Sequence, residues 1–247
     1  MRKLISDIAV IGKVTLLSLR ESFVAFLVVA IIIPLGLTYI VSLSSPTWSI
    51  ETKINYLTGM LVLSASLTLI NGVGQMIAQH RAMGIISWYR TSPVHPVAYV
   101  LGIVTTYLLS ILLNIFLIIP LSSLLWKIPF NLRNFLIVIP IILLGSVSLI
   151  GIGAIIGTRA KSAMNANAIT NLLSFVIAFA TPAYYSIDKI PQVVRPLTYL
   201  LPTTEVSILL KDLYLKSTLN GSSLAFLLLL GPVYLVVGLS GIKWREN

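Results

Sequence analysis

Six long stretches of this chain carry no Asp, Glu, Lys or Arg: residues 22–50, 54–80, 91–126, 134–158, 162–187 and 217–242. A helix needs about 20 apolar residues to cross a bilayer, because each adds ~1.5 Å across a ~30 Å hydrocarbon layer. Each gap holds one such helix, and none easily holds two. In the longest, Pro93 and Pro96 draw the first part into a loop. The runs are continuous and rich in Leu and Ile, as in YLLSILLNIFLIIPL, rather than alternating in ten-residue segments. Lipid offers backbone groups no partners, so helices are expected, not barrel strands.

Composition agrees. The chain has 247 residues, 57% hydrophobic and 10% charged, where soluble domains carry about a quarter charged residues. The expected fold is an all-α integral membrane protein, one transmembrane domain over residues 1–247. Its spans fall at about 23–42, 54–78, 97–126, 134–158, 167–187 and 224–241. The formal charge of +10 sits in short loops, where it meets anionic headgroups and sets orientation; no nucleic-acid partner is expected. The loops around Arg81 and Arg90, and around Arg159 and Lys161, contain no acid. Glu51, Asp188, Glu205 and Asp212 fall on the other side. Both termini are therefore expected in the cytoplasm, with the chain in the plasma membrane.

Residues 1–20 do not read as a cleaved signal peptide, because the apolar run after Glu21 is too long and no small-residue cleavage site follows. Wound as a helix, Arg2, Lys3, Asp7, Lys13, Arg20 and Glu21 share an arc of about 140°, opposite Leu4, Ile5, Ile8, Ile11, Thr15 and Leu19. This pattern predicts an amphipathic helix lying on the inner leaflet. Residues 188–220 hold Pro191, Pro196 and Pro202 and apolar pieces too short to span. They form either an outer loop of short helices or a re-entrant pair.

Much chemistry is excluded. With no cysteine there is no disulfide, thiolate metal site or cysteine nucleophile. His80 and His95 share one loop and are too few for an ordinary metal site. No span carries a charge at its middle, as ion-coupled carriers usually need. No Walker A loop, HExxH or GxSxG pattern occurs. Gly153 and Gly157 give a short small-xxx-small face that lets another helix approach. Asn71, Asn114 and Asn171, with Gln75 one turn beyond Asn71, either line a pathway or form interhelical hydrogen bonds.

The segment QHRAMGIISWYRTSPV after the second span, within an inner loop at 79–95, is too long for a turn and too short for a domain. It suits a short interfacial helix ended where Pro93 disfavours α at Ser92. Here the sequence resembles the membrane subunits of type-2 ABC (ATP-binding-cassette) transporters. Arg81, Gly84 and Ser92 to Val94 match the family's charged loop, while His80 and Ala82 replace its acids. Pro196, Leu197, Thr198 and Tyr199, then LPTTEVSILLKDL, resemble a second family feature.

The resemblance implies the permease subunit of an ATP-driven exporter. Its first cytoplasmic loop (His80, Arg81, Ala82, Met83, Gly84, Ile85, Trp88, Tyr89 and Arg90) would act as a coupling helix. The chain would have no ATPase site of its own. ATP and Mg would be bound by a partner ATPase, present as two copies, and a second permease copy or a related chain would complete the pathway. The substrate stays open among drug, lipid, glycan, peptide and ion. A membrane-embedded enzyme and a non-transporting scaffold are the competing readings.

Overall fold

A computed structural model describes residues 2–21, 32–43, 47–91, 96–185, 187–193 and 195–241. Helices dominate, and no strand occurs among the described residues. Helix α1 is Arg2–Glu21 and α2 is Ile33–Ser42. Helix α3 runs unbroken over Ile50–Ala82. The loop helix α4 is Ile85–Thr91, followed by α5, Pro96–Trp126, α6, Leu132–Arg159, and α7, Ala163–Ala180. The outer segment contains α8, Arg195–Tyr199, and α9, Pro202–Lys216; α10 is Gly221–Ser240.

Five helices are long and apolar enough to cross a membrane: Ile50–Ala82, Ala98–Trp126, Leu132–Arg159, Ala163–Ala180 and Gly221–Ser240. The first expected span, about 23–42, is represented by the shorter apolar helix α2; its residues 22–31 lie outside the described residues. Side-chain caps set several boundaries. Ser49, Asn131, Ser162 and Asn220 each accept from backbone N–H groups of the first turn of α3, α6, α7 and α10.

Helix α3 is the centre of the bundle. Its most apolar window is 89% buried by other helices, against 33% for α5, 28% for α7 and 22% for α10. Leu57, Leu63, Leu67, Leu69 and Ile70 are each almost wholly enclosed. Between Leu67 and Asn71 the helix widens into a π turn. Such turns disturb the regular backbone ladder. Around this one, Ser174 Oγ donates to Ser66 O at 3.1 Å and Tyr107 OH donates to Gly72 O at 2.9 Å.

Glycines bring α6 against its neighbours. A Cβ on Gly153 would stand 2.8 Å from Ile70 O, and one on Gly157 would stand 2.6 Å from Gly74 O, so both face α3 backbone to backbone. The expected small-residue face is therefore occupied by α3. Gly151 instead meets Tyr234 and Gly238 of α10, and Gly145 meets Val206 of α9. The glycines of α6 thus serve three different neighbours. Some buried hydroxyls behave as expected in a span, while those of Thr58, Ser64, Ser66, Ser122 and Ser148 find no hydrogen-bond partner among the described residues. Thr38, Ser146, Thr158 and Ser174 each donate to a carbonyl four residues back.

Helix α1 forms, but its apolar face is only partly available to lipid. Ile11 and Thr15 bury, and Gly12 crosses Gly102 of α5. There Thr106 Oγ1 donates to Gly12 O at 3.3 Å. Val10, Val14 and Leu17 fall within the arc of charges and remain exposed. The segregation of apolar from charged residues is weaker than the charges alone suggest.

The outer segment contains the expected short helices. At 15 residues, α9 is about 22 Å long, too short to span. It is nonetheless inserted among α3, α6 and α10, with Thr203, Thr204, Glu205, Val206 and Ser207 all buried.

Candidate functional site

Helix α3 ends where Gly84 takes φ +71°, a left-handed conformation that costs glycine nothing. Met83 N–H bonds to Gln79 O and Gly84 N–H to Arg81 O, closing the helix. The chain then turns into α4, whose Trp88 N–H returns to Gly84 O at 3.1 Å. Ile86 buries to 5% exposure and anchors α4 to the bundle. Trp88, at 84%, and Met83, at 71%, project away. The predicted loop helix therefore exists over Ile85–Thr91 and presents an aromatic and a thioether outward.

The other residues expected in the loop divide by direction, and His80, Arg81 and Ala82 belong to the last turn of α3 rather than to a loop or to α4. His80 Nδ1 lies 2.9 Å from Tyr99 OH, and the Tyr89 ring is centred 5.2 Å from that of Tyr99. Tyr99 is 1% exposed, so α3, α4 and the start of α5 are joined through one buried ring. Arg81 donates from Nη1 to Gly157 O at 2.9 Å and Ala160 O at 3.2 Å. A guanidinium there satisfies the end carbonyls of α6 and complements its dipole. Ala82 is exposed, Ile85 and Tyr89 are half-buried, and Arg90 lies within α4. Ser92, Pro93 and Val94 lie outside the described residues.

The second set lies between α3 and α7. Asn71 Nδ2 donates to Asn171 Oδ1 at 2.7 Å, and Gln75 Nε2 donates to Asn167 Oδ1 at 2.8 Å. Thr170 Oγ1 donates to Asn71 Oδ1 at 3.0 Å, and the amides of Gln75 and Asn171 also donate to Asn71 Oδ1 and Asn167 Oδ1 respectively. Asn71 and Thr170 are buried, Gln75 and Asn171 half-buried, and Asn167 exposed. The cluster thus opens to one side of the bundle. Asn71, Gln75 and Asn171 converge, whereas Asn114 does not join them; its Nδ2 faces Thr68 Oγ1 at 3.3 Å. Sequence reading missed Asn167 and Thr170. Their signal was the spacing Asn167, Thr170, Asn171, which shares one helical face.

The chemistry available there is hydrogen bonding between neutral groups. No group of three or more His, Cys, Asp or Glu that could hold a metal occurs among the described residues. No nucleophile stands beside a base in the cluster.

At the opposite end of the bundle from α4, the turn after α7 is pinned to two helices. Thr181 Oγ1 meets Thr203 Oγ1 at 2.5 Å, and Ser207 Oγ donates to Pro182 O at 3.1 Å. Lys211 Nζ donates to Pro182 O at 2.5 Å and Tyr185 O at 3.0 Å. Tyr184 OH donates to Gly59 O at 2.9 Å, its ring filling the space a Cβ on Gly59 would take. Burial lowers the Lys211 ammonium pKa to about 8, opposed by the nearby Glu51 carboxylate. Burial also raises the Tyr185 phenol above its usual range.

Five long apolar helices with neutral polar groups between them define a multi-pass helical membrane protein. The family model described as "ABC-2 family transporter protein" matches residues 40–240, well over half of the chain. The chain belongs to that family of transporter membrane subunits. No curated protein matches it.

Proposed function

We propose that this chain is the permease subunit of an ATP-driven exporter, working as a dimer and driven through its first cytoplasmic loop by a separate ATPase. ATP and Mg would sit on that partner, in two copies, and the chain itself would hydrolyse nothing. Family membership supports a transport subunit. The carrying observation is α4: a short helix set off by Gly84, held to the bundle by Ile86 and presenting Trp88 and Met83 outward. Exposed large apolar groups beside a basic stretch suit a groove on a cytoplasmic partner. The His80 and Ala82 positions offer no acid to that partner, so docking would rest on shape and apolar contact.

In this reading both termini lie in the cytoplasm and α1 rests at the inner leaflet against α5. Asn71, Gln75 and Asn171 would line the inner half of the pathway, where polar groups face water or protein rather than lipid. Asn114 would serve packing between α3 and α5.

The test is purification of the chain in mild detergent with its ATPase, followed by transport into vesicles. An ABC ATPase should co-purify, and replacing residues 80–92 by a flexible linker should abolish nucleotide-dependent transport. Intact transport with the linker would overturn the proposal, as would activity of the chain alone.

A further inference from the structure

One face of α7 changes character along its length. Asn167 and Asn171 stand at its cytoplasmic half, and Phe175 and Phe179 follow at the same four-residue spacing. The two Phe rings lie nearly parallel, 8° apart in plane, with centroids separated by 6.5 Å. Phe179 stacks on Tyr184 at 5.5 Å and 23°. Tyr184 meets Tyr56 edge-on at 5.7 Å, and Tyr56 stacks on Trp48 at 4.5 Å. Five rings thus form a continuous ladder from mid-span to the outer end of α3. Phe175 is 40% and Phe179 54% exposed, so the inner rungs are open.

An interfacial aromatic belt accounts for Trp and Tyr at headgroup depth. It does not account for a ladder along the helix axis that reaches the amide cluster. A lipid-facing surface accounts for the Phe rings but not for the exposed amide of Asn167 on the same face, since polar groups avoid hydrocarbon. Residues 162–187 contain no Asp, Glu, Lys, Arg or His. Lys211 donates to two carbonyls, and Lys53 lies one helical turn from Tyr56 at the far end of the ladder, so the inner rungs on α7 are the part without a cation of their own.

We propose that the ring ladder Phe175–Phe179–Tyr184–Tyr56–Trp48, together with the amides of Asn167 and Asn171, binds the transported substrate, and that this substrate is an uncharged, ring-bearing amphiphile. This rests on the permease reading. Flat rings find stacking partners at the ladder, and one or two neutral polar groups find the amide donors and acceptors below it. An anion would lose its water at the inner rungs, where α7 carries no cation to replace it. Acidic glycans and phosphate esters therefore find no charged partner at the inner rungs.

The test is photolabelling of the full chain with its ATPase in nanodiscs, using two probes that share a ring system. Benzophenone is uncharged, and 4-benzoylbenzoate carries a carboxylate. Benzophenone adducts should be saturable, competed by excess unlabelled benzophenone, and concentrated between residues 171 and 184. The double variant Phe175→Leu, Phe179→Leu keeps an apolar face and removes the rings. It should lower saturable labelling about fivefold, the order expected for lost ring stacking. Labelling by 4-benzoylbenzoate should be roughly tenfold weaker, given the cost of burying a charge. Unsaturable adducts spread equally over α5, α7 and α10 would show a lipid face and overturn the proposal. Protection of α7 by a second copy of the chain, or equal labelling by the anion, would overturn it too. Loop-dependent ATP hydrolysis measured in the same nanodiscs separates the two readings. A failed ladder with that hydrolysis intact removes only the ladder, and loss of the ATPase with saturable labelling intact removes only the permease reading.

Discussion

Tyr99 OH stands 2.9 Å from His80 Nδ1 while its ring faces Tyr89 at 5.2 Å, so one buried side chain joins the end of α3, the loop helix α4 and the start of α5. Any displacement of α4 must move Tyr99 or break this arrangement. Tyr99→Phe keeps the ring contact and removes the hydroxyl. It should cost about 1 kcal/mol of stability, the usual net worth of such a hydrogen bond. It should also lower transported substrate per ATP hydrolysed, measured in proteoliposomes. Tyr99→Ala, which removes both contacts, should lower that ratio further.

The glycine contacts of α6 predict a graded response. Gly157→Ala places a Cβ 2.6 Å from Gly74 O, and Gly153→Ala places one 2.8 Å from Ile70 O. Neither neighbour is a flexible side chain, so the helices must part, at roughly 1–3 kcal/mol for each substitution. Gly36→Ala is the control, because nothing lies within 4 Å of the added carbon. Thermal unfolding in detergent should show both α6 variants clearly lowered and Gly36→Ala unchanged or slightly raised.

The amide cluster predicts coupling between α3 and α7. A double-mutant cycle on Asn71→Leu and Asn171→Leu should return an interaction energy of about 0.6–1.7 kcal/mol, the range for polar pairs between membrane helices. The same cycle on Asn114 and Asn171 should return none beyond the error, because Asn114 bonds to Thr68 instead. Equilibrium unfolding from bicelles is the measurement.

Lys211 predicts a pH dependence. Its folded-state pKa is depressed from 10.5 to about 8, chiefly by burial. Between those values the unfolded chain holds a proton that the folded chain has released, so this group raises stability as pH climbs through that window. The gain is fully present above 10.5 and is lost as pH falls through about 8. Nearby tyrosines, including Tyr185, titrate higher in the folded chain and act oppositely at the alkaline end. The difference between wild type and Lys211→Met removes their contribution. That difference should grow in favour of wild type from pH 8 to pH 10 in thermal scans.

The placement of charges was enough to locate the five described membrane helices and the short outer helices, because lipid leaves charged and helical segments little choice. Gly153 and Gly157 announced a close helix contact by spacing alone. Gly84 breaks the segment because only glycine takes its left-handed turn without cost, a break that the sequence pattern, which placed the stop at Pro93, did not announce. Other features depend on partners distant in sequence. Nothing near Asn71 says that Asn171 lies across from it while Asn114 does not. Nothing in the charge-free run 54–80 marks the π turn at Leu67–Asn71, against which α6 and α7 pack. Helix α1 carries an amphipathic pattern, yet Gly12 and Gly102 decide that part of its apolar face meets protein. Helix α9 reads as an outer loop piece by length, and its packing against α3, α6 and α10, with Val206 against Gly145, is what places it in the bundle.

The unbroken course of α3 has a mechanical consequence. With 33 residues, it is a rod about 50 Å long. Just past its middle, Gly153 of α6 presses on Leu69 and Ile70. A rod held at its waist is a lever. A tilt of about 5° would carry each tip roughly 2 Å in opposite directions, given that length. One tip bears Arg81, tied to the end of α6, and towards the other, Tyr56 meets Tyr184. A push of an atom's width at the loop therefore arrives at the opposite face reversed in sign.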